Sequence, residues 1–239
     1  MTHTEIAALI VLCLGAAATA DRALNQGTSP EAVNRLTDAE RAAGWRLLFD
    51  GTTTTGWRGF KKADMPGGWQ VVGGALSRVA DAGDIVTVEQ FASFELAFDW
   101  KIAPGGNSGV FFRVTEDVGA VWHSGPEYQI LDNAAHRDGL TPETSAGADY
   151  ALHAPARAAA RPPGTWNEAR LIVNGNHVEH WLNGETIVGY ELGSADWTAR
   201  VAKSKFKEYP GFGRAAAGHI AIQDHGDAVA FRNIKIRPR

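Results

Sequence analysis

Cysteine is almost absent from this chain: Cys13 is the only one in 239 residues. A lone cysteine closes no intramolecular disulfide and builds no Cys-rich zinc site, so stability must come from a packed core. A basic balance is missing too. Asp and Glu number 27 against 23 Lys and Arg, and the formal charge is −4. No basic block and no interleaving of aromatic and basic residues occurs, which argues against nucleic-acid partners, since phosphate binding needs a basic surface. Long apolar runs are also lacking. The stretch Ile6 to Leu14 falls short of the ~20 residues a membrane-spanning helix needs. HExxH-type metal spacing, a phosphate-cradling glycine loop, a βαβ rhythm and internal repeats are all missing.

What is present divides the chain in three. Ile6 to Leu14, followed by small residues through Ala18-Thr19-Ala20, has the pattern of a secretory signal with an A-x-A-like cleavage site, although no Lys or Arg precedes it. The expectation is removal of residues 1–20, a secreted or periplasmic product, no membrane attachment, and no cysteine left after cleavage. Residues 21–43 read as a polar linker and a short helix. Thr37-Asp38-Ala39-Glu40 is the capping box of that helix, and Gly44 can end it. Residues 44–239 read as one domain.

From Trp45 onward the pattern is β. Phe94 to Trp100 alternates with period two, and Val110 to Val114 and Glu127 to Leu131 follow as strands. Two Asn-Gly pairs, Asn174-Gly175 and Asn183-Gly184, predict type I′ hairpins joining strands 169–173, 177–182 and 186–190. Gly218 to Ile222 and Ala228 to Ile236 close the set, the last with its apolar face shifting between Phe231 and Ile234, which predicts a bulge. Many short strands with almost no helix make an all-β fold, a two-sheet antiparallel sandwich. The segment 193–218 is long for a connection and reads as a lid or binding loop. Among the tryptophans, Trp45, Trp100 and Trp181 are expected in the core, and Trp122 and Trp197 at a ligand.

Chemistry can gather at three places. Glu127, Gln129 and Asp132 stand at i, i+2 and i+5; alternation puts the first two on one face, and a bulge near Leu131 would add Asp132. Such neighbours can divide acid and base work, or form a solvated outer face. Asn107, Gly109, Phe111 and Arg113 share a face by the same alternation, so Asn107 can bind a hydroxyl and Arg113 a carboxylate; a turn and a surface charge are the plainer alternative. Gln223-Asp224-His225-Gly226 ends a strand with more proton chemistry than a corner requires, and His225 is the leading titratable candidate. His136 and His153 are candidate cleft walls, whereas His177 and His180 are expected on the surface. No spacing demands a metal, although Glu127, His225 and an aspartate offer O and N ligands for a divalent ion.

Several segments, in order, resemble the 3-keto-disaccharide hydrolase domain family. They are Gly44 to Gly51, Gly56-Trp57, Gly68-Trp69, Asn107 to Arg113, Gly125 to Asn133, Trp166-Asn167, Ser204-Lys205-Phe206 and Gln223 to Gly226. The resemblance spans about residues 44–237 and implies a concanavalin-like, laminin-G-like jelly roll, exported, acting on 3-keto-glycosides. A 3-keto group acidifies the C2 proton, so a base can form an enolate that expels the aglycone from C1, with water adding afterwards or not at all. It implies His225 or Glu127 as base, with Lys205, Gln129 and Arg113 as stabilisers and binders, and Asp132 and Asp224 orienting their neighbours. Asn107, Gln223 and Trp122 would line the substrate. A glucoside 3-dehydrogenase acting upstream is implied by the same chemistry.

Two other functions compete. A laminarinase-like glycosidase also uses acidic residues at i, i+2 and i+5, but it would not have Gln129 in the middle, and it wants a second Glu where Asp132 stands. A non-catalytic carbohydrate-binding module would carry exposed aromatics without convergent Glu, His and Lys.

Overall fold

The computed structural model describes residues 33–239; the expected secretory segment, Cys13 and most of the expected linker lie outside the described residues. In chain order the elements are α1 (Asp38–Ala42), β1 (Arg46–Leu47), β2 (Trp57–Gly59), β3 (Trp69–Val72), β4 (Ala75–Arg78), β5 (Ile85–Phe91), β6 (Phe94–Ile102) and β7 (Asn107–Val114). They continue with β8 (Glu127–Leu131), β9 (Asn167–Asn174), β10 (His177–Leu182), β11 (Glu185–Glu191), α2 (Ala195–Lys203), β12 (Gly218–Ile222) and β13 (Val229–Pro238). The larger sheet has the order β11-β10-β9-β6-β13-β4-β3, with β1 paired to β13, and the smaller has β2-β5-β12-β7-β8. All pairings are antiparallel, and the two sheets form a jelly-roll sandwich.

Alternation builds the core. Phe94, Leu96, Phe98, Trp100 and Ile102 of β6 point inward and meet Val110, Phe112, Tyr128, Ile130, Ile220 and Ile222 of the smaller sheet. Phe98 meets Tyr128 edge-on across the sheets at 5.6 Å. Each such side chain contributes roughly 1.5–3 kcal/mol on burial, which a chain with so little cysteine needs.

Most expected elements stand where the sequence put them, and the exceptions have physical causes. The capping box of α1 forms as read, with Glu40 N–H donating to the Thr37 hydroxyl and Thr37 N–H to Glu40. The bulge in β13 falls between Arg232 and Lys235, with Asn233 at φ 53°. Asn183 and Gly184, at φ 51° and 88°, make the expected I′ corner. The other hairpin differs by one residue: Asn174 pairs with His177, so Gly175-Asn176 is the corner and only Gly175 has positive φ. That is the II′ requirement, glycine at the first central position.

The β9–β10 register also decides the histidines. Val178, His180 and Leu182 face inward, so His180 is fully buried, not at the surface, and Trp181 is only half-buried. His180 Nδ1 lies 2.9 Å from the Gly147 carbonyl, and burial pushes its pKa down to about 4, leaving it neutral. Trp197 is in the core too, because the expected 193–218 loop contains a helix, α2, with Ser194 accepting from Trp197 N–H at its start. Asn34, expected in the linker, is buried and exchanges two hydrogen bonds with the β13 bulge residue Asn233. The folded unit therefore begins before residue 44.

Candidate active site

The outer face of the smaller sheet is read off its registers. Ile222 pairs with Ile85 and Val110, Ala221 with Val86 and Phe111, and Phe111 with Glu127. With Ile85, Val110 and Ile222 inward, the outward rows are Val86–Ala221–Phe111–Glu127 and, one step along, Asp84–Gln223–Gly109–Gln129. Val86, Phe111 and Ala221 form a small apolar floor with Val114 and Val121.

Glu127 lies over Gly109. A Cβ on Gly109 would stand 2.1 Å from its Oε1, so the missing side chain of Gly109 is the space the carboxyl occupies. The group is 6% exposed. Burial raises its pKa to about 8, helped by the negative charges of Asp84, Asp149 and Asp138 and opposed by Lys205. Asp84 is raised to about 6, by burial first and by the charge of Asp224, against a hydrogen bond from Asp224 N–H.

Lys205 arrives from outside the sheet. α2 ends at Lys203, and the Ser204 hydroxyl accepts from Phe206 N–H, starting the tight turn Lys205–Glu208. The Lys205 ammonium then stands over three rings, 4.8 Å from Trp122, 4.6 Å from Tyr150 and 5.3 Å from Phe206. Burial lowers its pKa while Glu127 and Asp138 pull it back up. Tyr150 is set beside Glu127 because residues 147–150 pair with the free edge of β8: Gly147 N–H donates to Gln129, and Tyr150 N–H to Glu127. Its hydroxyl reaches Asp138 at 3.3 Å, and its pKa is pushed up to about 12 by burial and by the charges of Asp138 and Glu127.

The structure thus joins Glu127, Lys205 and Trp122 and adds Asp84, Tyr150 and Asp138, which sequence reasoning missed. Asp84 had a readable signal: it precedes the β5 run and alternates with Val86. Tyr150 and Asp138 had none, since they reach the site from irregular loops. His225 is half-exposed at the far end, its Nε2 3.5 Å from Asn107 Nδ2 and its ring edge-on to His136 at 6.1 Å. Asn107, two residues from Gly109 on β7, is buried, and its Oδ1 has no protein partner.

Four expected residues are held by partners within the protein. Arg113 does not share the face of Asn107 and Phe111. It sits at φ 56° in a bulge where His219 pairs with Val114 but Ala221 with Phe111, so Val114 takes the outward position and Arg113 turns toward the Gly175 carbonyl. Gln129 is fully buried, donating to the Thr144 carbonyl at 3.2 Å and accepting from Ile130 N–H. Asp132 is not brought round by a bulge, because the β7–β8 register runs unbroken; its oxygens accept from Gly105 and Ala134 amides. Asp224 accepts from Arg78, Ala82, Gly83 and Gly226, so it builds the turn that carries His225 and steadies the loop before Asp84. A metal finds no set either: among the described residues no three His, Cys, Asp or Glu side chains are grouped to hold an ion.

A sandwich with a buried carboxyl, an ammonium over aromatic rings and hydrogen-bonding side chains on one sheet face defines a carbohydrate-active enzyme. Residues 44–237 match the 3-keto-alpha-glucoside-1,2-lyase-like domain, and the chain belongs to that family. It is 33% identical over 228 residues to a 3-keto-disaccharide hydrolase of Bacteroides thetaiotaomicron, covering 82% of this chain and 79% of the relative. A Parabacteroides distasonis crystal structure provisionally described as a glycosyl hydrolase is 37% identical with a TM-score of 0.81, covering 87% of this chain and 99% of that one. A second from the same organism is 26% identical with a TM-score of 0.65, over 82% and 99%.

Proposed function

We propose that this enzyme cleaves 3-keto-glycosides by proton abstraction at C2 and expulsion of the aglycone from C1. The observation that carries the reading is the Glu127 carboxyl, buried over Gly109 and drawn toward ionisation by the Lys205 ammonium. A carboxylate held in that way is a stronger base than an exposed one. The C2 proton and the C3 carbonyl oxygen are neighbours on the sugar, so the base and the cation that steadies the enolate must be neighbours as well.

Glu127, once ionised, takes the C2 proton, and Lys205 faces the oxygen on which the enolate charge gathers. The C1–O bond then breaks, its electron pair leaves with the aglycone oxygen, and His225 supplies the proton that oxygen needs. Water adding across C1 and C2 returns a proton to C2 and a hydroxyl to C1, completing a net hydrolysis; without it the enzyme is a lyase. Asn107 Oδ1, buried and unpartnered, would accept from a sugar hydroxyl, and Trp122 would cover an apolar ring face. The laminarinase-like set at i, i+2 and i+5 is disfavoured, because Gln129 and Asp132 are already engaged. The keto group has to be made first, by a C3-oxidising dehydrogenase.

The test offers a 3-keto-glucoside and its unoxidised parent in deuterated water. Aglycone release from the keto compound alone is expected, with deuterium at C2 of a hydrated product, or with the C2 hydrogen lost to a C1=C2 double bond in an eliminated one. Release from the parent, or a product that keeps the original C2 hydrogen, would overturn the mechanism, and binding of both without turnover would mark a binding module.

A further inference from the structure

Behind the turn that presents Lys205 lies a second cleft, of about 410 Å³. None of Glu127, Asp84, Asn107 or His225 lines it. Its charged lining residues are Arg113, Lys207 and Arg214, all cations, with no carboxylate among the lining side chains. Trp197 and Tyr209 supply aromatic walls, and Trp197 is stacked on Phe212, another lining residue, with 5.8 Å between centroids.

Arg113 makes this cleft more than a surface groove. It is 5% exposed, and among the described residues it has no acidic partner. One Nη2–H bond to the Gly175 carbonyl, 2.6 Å, is its recorded hydrogen bond, and Nε is buried without a partner. Burial lowers its pKa with no nearby carboxylate to oppose it. A buried cation without counter-charge is costly, whereas Glu95 is answered by three arginines, Asp99 by Arg232 and Asp224 by Arg78. The bulge that removes Arg113 from the Glu127 face is what delivers it here.

We propose that this cleft binds an organic anion, a carboxylate or phosphate carried on an aromatic or sugar-sized body. The anion faces the Arg113 guanidinium with Arg214 and Lys207 at the entrance, because a guanidinium fork matches both oxyanions. The ring lies against Trp197 and Tyr209. The volume suits one ring with its substituent and excludes a polymer. The site stands independently of the reaction assigned to Glu127.

Calorimetry and tryptophan fluorescence on the full chain, with phenyl phosphate, benzoate and neutral benzyl alcohol, test it at low and high salt. The expected result is saturable binding of one anion per chain, weakened by salt, with benzyl alcohol at least tenfold weaker. The tighter of phosphate and carboxylate names the natural group. Arg113→Gln should weaken binding tenfold or more, and Arg214→Gln, at an exposed position, should do so several-fold without disturbing the fold. Arg46→Gln, an exposed cation elsewhere, should leave affinity unchanged. No saturable anion binding, equal binding of the neutral alcohol, or undiminished affinity in a folded Arg214→Gln or Arg113→Gln protein would overturn the proposal.

Discussion

Gly109→Ala isolates the Glu127 carboxyl without touching it. Gly109 lies in β7 without positive φ, so alanine suits the backbone. The new Cβ would lie 2.1 Å from Glu127 Oε1, 2.8 Å from Cδ and 3.0 Å from Cγ. Restoring ordinary contact at 3.4 Å requires the carboxyl oxygen to move by about 1.3 Å. The atoms that must yield are the end of a flexible side chain, so the stability cost should stay below about 2 kcal/mol. A reacting group misplaced by roughly 1 Å loses about a hundredfold in rate. The expected outcome is a variant with near-normal melting temperature whose kcat on a 3-keto-glucoside falls about a hundredfold. Glu127→Asp, a shorter side chain, should cost less in the Gly109→Ala background than in the parent, since both changes act on one carboxyl position. Near-parental kcat in a folded Gly109→Ala protein would refute the placement of the base.

Further expectations come from the same charges. Glu127 keeps its proton in the fold up to about pH 8, whereas in the unfolded chain it ionises near 4.5; stability therefore falls as pH rises between those values, by up to a few kcal/mol. Glu127→Gln should accordingly melt several degrees higher than the parent at pH 8.5 and match it near pH 4, while losing turnover. The rate profile on a keto substrate should rise with pH toward a limb near 8 as Glu127 ionises, and Lys205→Met should move that limb upward by about one unit and lower kcat by a hundredfold or more. Asp224 works in the opposite sense: burial raises its pKa, but the Ala82, Gly83 and Gly226 amides and Arg78 outweigh it and hold it low. Its contribution is present at neutral pH and lost as pH falls through its depressed value, so Asp224→Asn should cost about 2–4 kcal/mol at pH 7 and less in acid, read by denaturant unfolding.

How far the sequence could be read depended on whether local periodicity or long-range register decided the outcome. Glu127–Leu131 and His177–Leu182 are legible to the residue because alternation and flanking turns coincide there. The inward direction of His180 was not, since either face of β10 would satisfy alternation until its pairing with β9 is known. Helix α2 was hidden because 193–218 looks polar and loop-like, and only Trp197 of that helix is buried. At the site, Glu127 could be found from strand spacing and Lys205 from the Ser204-Lys205-Phe206 segment that resembles the family. The diversion of Arg113 could not, because its positive φ arises from a mismatch between β7 and β12 and not from a glycine or asparagine in the sequence.

Glu127 and Asp224 together show how one fold assigns opposite duties to two carboxyls. Asp224 has donors on both oxygens, three of them backbone amides and one an arginine, so its charge is stabilised where it stands and its role is architectural. Glu127 gains nothing comparable: an apolar floor, a missing Cβ and three neighbouring negative charges keep it protonated, with only Lys205 favouring the anion. A fold selected for stability alone would place a neutral side chain there. Retaining a carboxyl costs stability throughout the neutral range, and the cost is explained if the proton it holds is the one exchanged with C2 of the sugar. Asp84, which stays ionised to lower pH at about 6, then sets the balance: its charge raises Glu127 against the pull of Lys205, and neutralising it as Asp84→Asn should move the rate limb down in pH, opposite to Lys205→Met.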